Sequence, residues 1–511
     1  MSDHPVPTST LLDALPDKTV LGTLPAQVAS LAYDSRKVAA GALFVAIPGL
    51  KQDGRRFAAD ALGRGAAVVV AEGADPLPGS ATARVLVPSS REALARLADA
   101  YHGHPSRRLA VVGITGTNGK TTTSLLVEAL LGANGRPTGV IGTIQYRVGA
   151  QAEAASQTTP EALELQALLA RMVQAGVGGA AMEVSSHALS LSRVDGIEFD
   201  VAVFTNLTQD HLDFHKTLEA YRDAKARLFD LLATGHKPRR AAVVNVDDPA
   251  GAAMVRAASA DPRVRILTFG LRAPALLRPR RWESGMGGIE LEIAWPQGAI
   301  AITSALVGEH NVMNLLGAVG VGLALEMEPR QIGRILSGVA TVPGRFERVE
   351  AGQPFLVVVD YAHTPDALEN VLTTARKLLK PGARLGVVFG CGGDRDRGKR
   401  PIMGGIAARL ADRAWVTSDN PRSEEPEAIL AEIETGIPAS AAGRHESIAD
   451  RRRAIQGAIG WAREGDVVVI AGKGHETYQI VGSEVLPFDD REVARTALAE
   501  RGGAGGPGWR A

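Results

Sequence analysis

Short apolar segments recur along this chain, and each of them is followed by a polar or glycine-rich turn. Continuous apolar runs are typical of strands buried on both faces of a parallel sheet, because half-exposed strands alternate apolar and polar residues. In the middle of the chain these segments are RLAVVGITG (108–116), GGAAMEVSSH (178–187), DVAVFTNLT (200–208) and AAVVNVDD (241–248). Helical stretches separate them, so the pattern predicts an α/β domain built on a parallel sheet.

The same alternation restarts beyond TVPGRFERVE (341–350), whose proline, glycine and charged residues indicate a domain boundary. The later apolar segments are FLVVVDYAHT (355–364), RLGVVFGCGG (384–393), RAWVTSDNP (413–421) and DVVVIAGKG (466–474). Before residue 108 the pattern is more mixed, although AAVVVAE (66–72) is typical of a strand. We therefore predict an α/β protein of three domains, at residues 1–107, 108–342 and 343–511.

The composition is that of an ordinary globular protein. A chain of 511 residues is too long for one core, and at about 150 residues per domain it suggests three. Acidic and basic residues are equal in number at 56 each, so the net charge requires neither a nucleic-acid nor a membrane partner. The single cysteine, Cys391, excludes an intrachain disulfide. With neither a secretory signal pattern nor a membrane-spanning apolar run, we expect a cytoplasmic protein. We expect a monomer, although no pattern in the sequence reports the oligomeric state.

The segment GITGTNGKTTT (113–123) lies between one apolar segment and a helical stretch. A phosphate-binding P-loop has the form G-x-x-x-x-G-K-[ST], but its first glycine position holds Ile114 here, with glycines at 113 and 116 instead. Glycines let backbone amides approach an anion, and a helix N-terminus adds a favourable dipole. Lys120 can reach the phosphates of a nucleotide, and the Thr121 hydroxyl can bind Mg²⁺. We predict a nucleoside triphosphate site; the alternative is a glycine-rich turn without a ligand.

A metal ion beside the nucleotide would need hard ligands such as carboxylates. Glu183 ends the strand in GGAAMEVSSH, where its charge would be costly unless it were paired or metal-bound, so it is a candidate. His211, in NLTQDHLDFH, follows the next strand. From the residues alone an isolated histidine is more often structural, and His187, His215 and Asp210 compete with it as ligands.

Several motifs occur in an order that resembles the Mur ligase family, ATP-dependent enzymes that add amino acids in peptidoglycan synthesis. They are GxTGTNGKTT, MEVSSH, TNLTQDHLD, GEHNVMN and PGRFE. The shifted glycines are that family's form of the P-loop. The resemblance implies a small N-terminal α/β domain for the uridine nucleotide end of the substrate, a central P-loop ATPase-like domain, and a C-terminal Rossmann-like domain for the amino acid. It also implies that ATP converts a substrate carboxylate into an acyl phosphate, which an amine then attacks.

The resemblance further implies roles for individual residues. Lys120, Lys225 and His211 are the expected catalytic residues, and Lys225 is expected to be carbamylated by CO₂. The expected Mg²⁺ ligands are Thr121, Glu183, His211 and Lys225. The expected ATP contacts are Gly116, Thr117, Asn118, Gly119, Lys120, Thr121, Thr122, Asn311 and Arg345. From the residues alone, Lys225 in EAYRDAKARLF would be interpreted as a solvated helix lysine.

The motif DNPR (419–422) resembles the signature of the family members that add meso-diaminopimelate to UDP-N-acetylmuramoyl-L-alanyl-D-glutamate. Diaminopimelate differs from lysine by a second carboxylate, which a forked guanidinium can bind bidentately. The expected diaminopimelate contacts are Arg395 and Arg422 for the carboxylate, Asp419 and Glu476 for the distal ammonium, and Asn420, Pro421 and Gly472. The alternatives are an exposed turn arginine, a sibling ligase adding another amino acid, a folylpolyglutamate synthetase-like ligase, and a nucleotide-binding regulator that kept only the fold.

The expected contacts of the UDP-N-acetylmuramoyl dipeptide come from the same resemblance. They are Ser35 and Arg36 for the uridine diphosphate end, and Thr158, Thr159, Ser185 and Arg193 for the muramoyl peptide. Diaminopimelate-adding members often carry H-Q-A where this chain has Leu50-Lys51-Gln52, so no contact is assigned there.

Overall fold

The structure is a computed structural model that describes residues 5–49, 52–272, 274–285, 287–339 and 341–503. Its contacts divide the chain into two compact units. The first comprises Met1–Arg280, Glu292–Ala301 and Met313–Leu336, and the second comprises Arg281–Leu291, Ile302–Val312 and Ser337–Ala511. The predicted N-terminal domain and most of the predicted central domain fall in the first unit, and the boundaries at 107/108 and 342/343 stay predictions.

The N-terminal part of the first unit is built on a mainly parallel sheet in the order β2-β7-β6-β5-β4, in which only β2 runs antiparallel to its neighbour. The strands are β1 (Val6–Pro7), β2 (Thr19–Leu21), β3 (Gln27–Val28), β4 (Ser30–Ala32), β5 (Ala42–Ala46), β6 (Val68–Glu72) and β7 (Ala83–Val87), and the helices are α1 (Thr8–Asp13), α2 (Ala58–Gly63) and α3 (Ser90–Tyr101). β1 and β3 pair separately.

A second sheet of the first unit carries the phosphate-loop segment, in the order β11-β10-β9-β12-β8-β13-β14-β15. Its strands are β8 (Ala110–Thr115), β9 (Thr138–Ile141), β10 (Gln145–Val148), β11 (Gln151–Ala154), β12 (Gly179–Glu183), β13 (Val201–Phe204), β14 (Arg240–Asn245) and β15 (Val264–Phe269). The helices are α4 (Lys120–Leu131), α5 (Ala162–Gln174), α6 (Ser186–Ser190), α7 (Leu212–His215), α8 (Leu218–Thr234) and α9 (Gly251–Ala258). The neighbouring strands β9, β12, β8, β13, β14 and β15 are parallel, whereas β10 is antiparallel to both β9 and β11.

Three further strands and two helices follow β15 in the sequence. The strands β16 (Arg278–Gly285), β17 (Gly288–Trp295) and β18 (Gly298–Ser304) form a separate sheet in that order. The helices α10 (Glu309–Ala324) and α11 (Pro329–Ser337) follow them.

The second unit contains a sheet in the order β19-β20-β24-β21-β22-β23, parallel except for β19. The strands are β19 (Glu347–Arg348), β20 (Leu356–Asp360), β21 (Leu385–Phe389), β22 (Arg413–Thr417), β23 (His445–Ile448), β24 (Val467–Ala471), β25 (Tyr478–Val481) and β26 (Glu484–Pro487), the last two forming a hairpin. The helices are α12 (Pro365–Leu378), α13 (Lys399–Leu410), α14 (Pro426–Glu434), α15 (Arg451–Trp461) and α16 (Asp490–Gly503).

The α/β prediction is confirmed, because the continuous apolar segments form the strands of the two larger parallel sheets. Every residue of β8 from Val111 to Thr115, of β13 and of β24 is buried, as expected for strands covered by helices on both faces. Register then brings the strand ends together, since Glu183 on β12 pairs with Ile114 on β8, and Phe204 on β13 pairs with Thr115. Among the described residues, no helix has both the length and the apolar character needed to cross a bilayer.

Candidate functional site

The phosphate-loop segment forms a tight turn between β8 and α4 that only glycine allows at two positions. Gly116 has φ 150° and Gly119 has φ 86°, both unfavourable for residues with a side chain. A Cβ on Gly116 would lie 1.8 Å from Thr205 Oγ1. Gly113 lies on β8, where a Cβ would lie 2.7 Å from the Phe199 ring. The shifted glycines are therefore required by this turn and by the packing of its strand.

Two residues at the end of β13 hold the loop from the side. The backbone amide of Thr117 donates to Asn206 O at 2.8 Å, and that of Asn118 donates to Asn206 Oδ1 at 2.9 Å. Thr205 Oγ1 donates to Asn118 O at 2.6 Å. Neither Thr205 nor Asn206 was predicted from the sequence, although both lie in the motif TNLTQDHLD and follow a buried strand.

Two lysines converge on one carbonyl of the loop. Lys120 Nζ donates to Gly116 O at 3.0 Å and to Thr117 O at 2.9 Å. Lys225 Nζ donates to the same Gly116 O at 2.9 Å and lies 4.2 Å from the centre of the Tyr221 ring. Burial, together with the positive charge of Lys120, holds the pKa of the Lys225 amine well below its usual range.

The interpretation of Lys225 as a solvated lysine is wrong, because its side chain is only 1% exposed. On α8 it belongs to a buried stripe at helical spacing, Tyr221, Lys225, Leu228, Phe229 and Leu232. A lysine within such a stripe was the signal in the sequence that could have shown its burial.

Glu183, 1% exposed, lies beside the first turn of α4. Thr121 Oγ1 donates to its Oε2 at 3.1 Å, Thr143 Oγ1 to the same oxygen at 3.0 Å, and the Thr143 backbone amide to Oε1 at 2.9 Å. These donors are neutral and leave the negative charge of Glu183 unbalanced. A cation bound here would therefore stabilise the buried carboxylate. The pair of a hydroxyl and a carboxylate fits Mg²⁺, which takes few protein ligands and completes its shell with phosphate and water. Thr143 was not predicted from the sequence.

His211 precedes α7 with φ 54° and lies in a group of rings. Its ring centre is 4.8 Å from that of His187 and 6.1 Å from that of Tyr221, and its Nε2 is 3.5 Å from Asp210 Oδ2. In the described part of the chain, no three His, Cys, Asp or Glu side chains are grouped so that they could hold a metal ion by themselves. His211 as a metal ligand stays a prediction.

Replacing Lys120 by alanine is expected to remove stabilisation by Mg²⁺-ATP, because its ammonium lies over the loop that would hold the phosphates. A ligand at a hundredfold excess over Kd stabilises a protein by about 2.7 kcal/mol, which corresponds to a Tm shift of roughly 5 °C or more. Differential scanning fluorimetry should show this shift for the wild type and for Lys18→Ala, an exposed lysine. An equal shift in Lys120→Ala would contradict the phosphate-binding role.

The residues expected to contact the muramoyl peptide lie close to Glu183. Thr159 Oγ1 donates to Glu183 O at 2.8 Å and lies 3.3 Å from Ser185 Oγ. Thr158 Oγ1 lies 3.1 Å from Thr143 Oγ1. The structure therefore brings Thr158, Thr159 and Ser185 together at the end of β12.

Arg193 is oriented by an acidic residue that the sequence analysis missed. Its Nη1 donates to Thr159 O at 3.0 Å, and its Nε lies 2.6 Å from Glu161 Oε1. Glu161 precedes α5 but makes no side-chain capping bond. Glu161 Oε2 lies 3.6 Å from Nη1 of Arg91, which belongs to the N-terminal part of the chain. The Glu161 carboxylate therefore forms ion pairs with both Arg193 and Arg91.

The residues expected to contact the uridine diphosphate end lie in a short 3-10 helix, Ser35–Lys37. Ser35 is buried, whereas the Arg36 side chain is 82% exposed and paired with Asp34 at 2.7 Å. The chain differs from the family pattern at Leu50 and Lys51. These two residues lie outside the described residues. A cavity of about 440 Å³ adjoins this region, lined by Tyr33, Lys37, Tyr146, Glu153, Ser156, Gln157, Pro160, Glu161, Glu164, Ala167, Leu168 and Arg171.

In the second unit, the two arginines expected to bind a carboxylate flank Gly392. A Cβ on Gly392 would lie 2.8 Å from Arg422 Nη1 and 3.7 Å from Arg395 Cγ. Arg422, with φ 54°, donates from Nη1 to Gly393 O at 2.8 Å, and Arg395 donates to Asp394 O at 3.0 Å. These acceptors are neutral carbonyls, so they orient the guanidinium groups without cancelling their charge. Pro421 packs beside them, its carbonyl against Gly393.

The residues expected to bind an ammonium group also lie together, after β22 and β24. Asn420 Nδ2 donates to Glu476 Oε2 at 3.1 Å, and a Cβ on Gly472 would lie 3.8 Å from Asp419 Cγ. Burial favours the neutral form of Asp419, but Lys473 and Arg451 hold the pKa of its carboxyl below the usual range. Burial, with the nearby charge of Asp419, raises the pKa of Glu476.

Lys473 is a further member of this group that the sequence analysis missed. Its side chain is fully buried, and its Nζ donates to Asn420 Oδ1 at 3.0 Å and lies 3.3 Å from Asp419 Oδ1. The signal was present in AGKGHE, where a lysine between two glycines directly follows a buried strand.

The two residues expected to contact the adenine and phosphates of ATP also belong to the second unit. Asn311 is buried and its Nδ2 donates to Val307 O at 2.8 Å, and the Arg345 guanidinium lies 4.7 Å from the centre of the Tyr361 ring. The other asparagine of GEHNVMN, Asn314, belongs to the first unit, where a Cβ on Gly119 would lie 2.4 Å from its Oδ1. This contact between Asn314 and the phosphate loop was not predicted from the sequence.

Comparison with known proteins identifies related sequences along most of the chain. The models of the Mur ligase family catalytic domain, the Mur ligase middle domain, and the Mur ligase glutamate ligase domain match residues 27–102, 114–322 and 344–474. UDP-N-acetylmuramoyl-L-alanyl-D-glutamate--2,6-diaminopimelate ligase of Geobacillus kaustophilus (strain HTA426) is 49% identical, over 96% of this chain and 99% of the relative. The protein of the same name from Solibacter usitatus (strain Ellin6076) is 48% identical, over 92% and 94%. A solved structure of a ligase of this name superimposes with a TM-score of 0.70 at 34% identity, covering 98% of this chain and 99% of the other.

Proposed function

The chain belongs to the Mur ligase family, and we propose that it joins meso-2,6-diaminopimelate to UDP-N-acetylmuramoyl-L-alanyl-D-glutamate at the expense of ATP. The observation that carries this assignment is the group after β21, β22 and β24, where Arg422 and Arg395 lie beside Gly392 and the carboxylates of Asp419 and Glu476 lie around Asn420 and Lys473. Diaminopimelate carries a carboxylate and an ammonium at its distal end, so it offers the two charges that these side chains complement.

The reaction forms an amide in two steps. A carboxylate oxygen of the dipeptide substrate attacks the γ-phosphorus of ATP, and the bond to the bridging oxygen breaks to release ADP. The amine nitrogen of diaminopimelate then attacks the carbonyl carbon of the acyl phosphate, phosphate leaves with the bonding electron pair, and the nitrogen loses a proton. Positioning and charge neutralisation supply most of the catalysis in such a reaction.

The residues of the first unit have distinct roles in this proposal. Lys120 and the amides of residues 116–122 bind the phosphates of ATP, and Lys120 neutralises charge that develops on the γ-phosphoryl group. Thr121, Glu183 and His211 would hold Mg²⁺, which supplies Lewis-acid stabilisation of the phosphate oxygens. Lys225, as a carbamate, would add an anionic ligand in place of an ammonium. The neutral amine that burial favours at Lys225 is the form that reacts with CO₂.

The remaining residues in this proposal bind the dipeptide substrate and the nucleotide. Ser35 and Arg36 bind the uridine diphosphate end, and Thr158, Thr159, Ser185 and Arg193 bind the muramoyl peptide. Asn311 contacts the adenine and Arg345 the phosphates of ATP. The stacking of Arg345 on Tyr361 and the ion pair of Arg193 with Glu161 hold both arginines in place. We further propose that the protein acts in the cytoplasm, where these precursors are made, and as a monomer.

A single assay tests the proposed function. Protein, ATP, Mg²⁺ and the UDP-muramoyl dipeptide are incubated with diaminopimelate or with lysine, and the product is detected by mass spectrometry together with phosphate release. Diaminopimelate should give the tripeptide product, and kcat/KM for lysine should be lower by about 100-fold or more, because lysine leaves the half-buried Arg422 without its carboxylate partner. Turnover of lysine alone, or of glutamate on a folate, would assign the chain to another branch of the family, and phosphate release with neither would contradict a ligase.

A further inference from the structure

Lys473 lies at the centre of the acidic group that follows β22 and β24. Its Nζ donates to Tyr478 O at 2.8 Å and to Asn420 Oδ1 at 3.0 Å. The same nitrogen lies 3.3 Å from Asp419 Oδ1 and 3.7 Å from Glu476 Oε2. A lysine whose side chain is fully buried, with an ammonium between two carboxylates, is unusual, because taking this charge out of water is costly unless it is paired.

The charges of this group favour one additional cation. Asp419 and Glu476 contribute two negative charges when ionised, and Lys473 contributes one positive charge. The three side chains together therefore carry a net charge of about −1 when all are ionised. A single ammonium from a ligand would bring the net charge of the group to zero. Without Lys473, the two carboxylates would repel each other.

Lys473 is one of two donors that fix which way the Asn420 amide faces. An asparagine side chain has an accepting oxygen and a donating nitrogen. Here the oxygen accepts from Lys473 Nζ and from the Ile480 backbone amide, both at 3.0 Å. The nitrogen must then face the other way, and it donates to Glu476 Oε2 at 3.1 Å. Removing the ammonium would leave the Ile480 backbone amide as the remaining one of these two donors, so the Asn420 amide and its bond to Glu476 would be held less firmly.

We propose that Lys473 is a positioning and specificity-determining residue for the incoming amino acid: its ammonium offsets one of two facing carboxylates and orients Asn420, so that the group accepts a single ammonium of the ligand. The inference rests on the proposed function, because it takes the ligand to be diaminopimelate. Lys473 acts through Asp419, Asn420 and Glu476 and need not touch the ligand itself.

The test is the steady-state kinetics of Lys473→Met in the full-length protein. KM for diaminopimelate should rise about 10- to 100-fold, while the KM values for ATP and for the UDP-muramoyl dipeptide stay within about twofold. Lys377→Met is the matched control, because Lys377 is 67% exposed and pairs only loosely with Glu309 at 3.7 Å; its kinetics should equal those of the wild type.

A pH profile separates this role from a merely structural one. Burial favours the neutral form of both carboxyls, and Lys473 is the strongest influence that lowers the pKa of Asp419 and of Glu476. Both must be ionised to hold an ammonium, so in Lys473→Met the acid limb of kcat/KM for diaminopimelate should move to higher pH. The other charged or titratable groups that interact with one or both carboxyls are Arg422, Arg451, His363, Tyr361, Tyr478 and Cys391, and all of them are retained in the variant.

The outcomes are distinguishable from failure of the proposed function. If the wild type joins no diaminopimelate, the proposed function is wrong. If it does, and Lys473→Met keeps both its KM and its acid limb, this inference is wrong, whatever happens to Tm. Should Lys473→Met fail to fold, Lys473→Gln replaces it, because glutamine is neutral but can still donate a hydrogen bond; the same shift in KM and acid limb is then required.

Discussion

Replacing Lys225 by alanine is expected to lower kcat for amide formation about a thousandfold, the effect of removing one preorganised electrostatic group from a reacting centre. Lys225 Nζ reaches the phosphate-loop carbonyl Gly116 O, to which Lys120 also donates. A carbamate at this position would replace a second ammonium by an anion beside the metal ions. Single-turnover kinetics with saturating ATP should show the loss, and the Kd for Mg²⁺-ATP should change by only about threefold, since Lys120 remains.

The carbamate itself is tested by labelling the protein with isotopically labelled bicarbonate and observing the carbamate carbon by NMR. Carbamylation joins the neutral amine nitrogen to the carbon of CO₂ and releases one proton, so the lowered pKa of Lys225 favours it. On acidification through that lowered pKa the amine is protonated, and both the signal and the activity should fall. Lys237→Met is the control, since Lys237 is also buried but is paired with Asp200. A signal that persists in Lys225→Ala, or full activity in CO₂-free buffer, would contradict the proposal.

Arg422→Ala is expected to lower kcat/KM for diaminopimelate by about 100- to 1000-fold, equivalent to about 3–4 kcal/mol, because a charge-assisted bidentate contact is lost. Two backbone carbonyls, Gly393 O at 2.8 Å and Asn420 O at 3.4 Å, hold the guanidinium in place. Arg422→Lys should recover little of the activity, since an ammonium cannot reproduce the fork. Turnover is measured by phosphate release with diaminopimelate as the varied substrate.

The nucleotide site provides the internal check on Arg422→Ala. Stabilisation by Mg²⁺-ATP should match that of the wild type, because the phosphate loop is unchanged. Arg409→Ala is the matched control, since Arg409 is 56% exposed and pairs with Glu369 on the surface; it should keep full activity. Unchanged turnover of diaminopimelate by Arg422→Ala would remove the basis for assigning the second carboxylate to this arginine.

The α/β class was readable from the sequence because buried parallel strands leave an unbroken apolar signal. Segments such as VVVI at 467–470 became β24, and RLAVVGITG became β8. The antiparallel strands β10 and β11 were not predicted, since β11 is fully exposed and shows no apolar run. The two compact units, with the N-terminal sheet in the same unit as the phosphate loop, were not predicted either, because contact between sheets depends on which faces meet.

The residues of the candidate site were likewise predicted only in part from the sequence. Glu183 and Lys120 were identified from their place at strand ends and in the glycine-rich turn. Thr143, Asn206, Glu161 and Lys473 were missed, because each acts through a partner far away in the chain, as Thr143 does with Glu183 forty residues on. Lys225 was placed in the site only through the family resemblance. The segment around it, EAYRDAKARLF, had been interpreted as placing this lysine in solvent.

The sequence by itself determined the class of fold, the phosphate loop and the family, because glycine spacing and apolar runs are local patterns that the backbone must satisfy wherever they occur. Only the tertiary structure decided the electrostatic state of the functional groups. A pKa depends on what surrounds a charge, and the surroundings of Lys225, Asp419 and Lys473 come from other strands and helices. The stripe on α8 could have indicated that Lys225 is buried, but the lowering of its pKa also depends on Lys120 of the phosphate loop, which lies more than a hundred residues earlier in the chain.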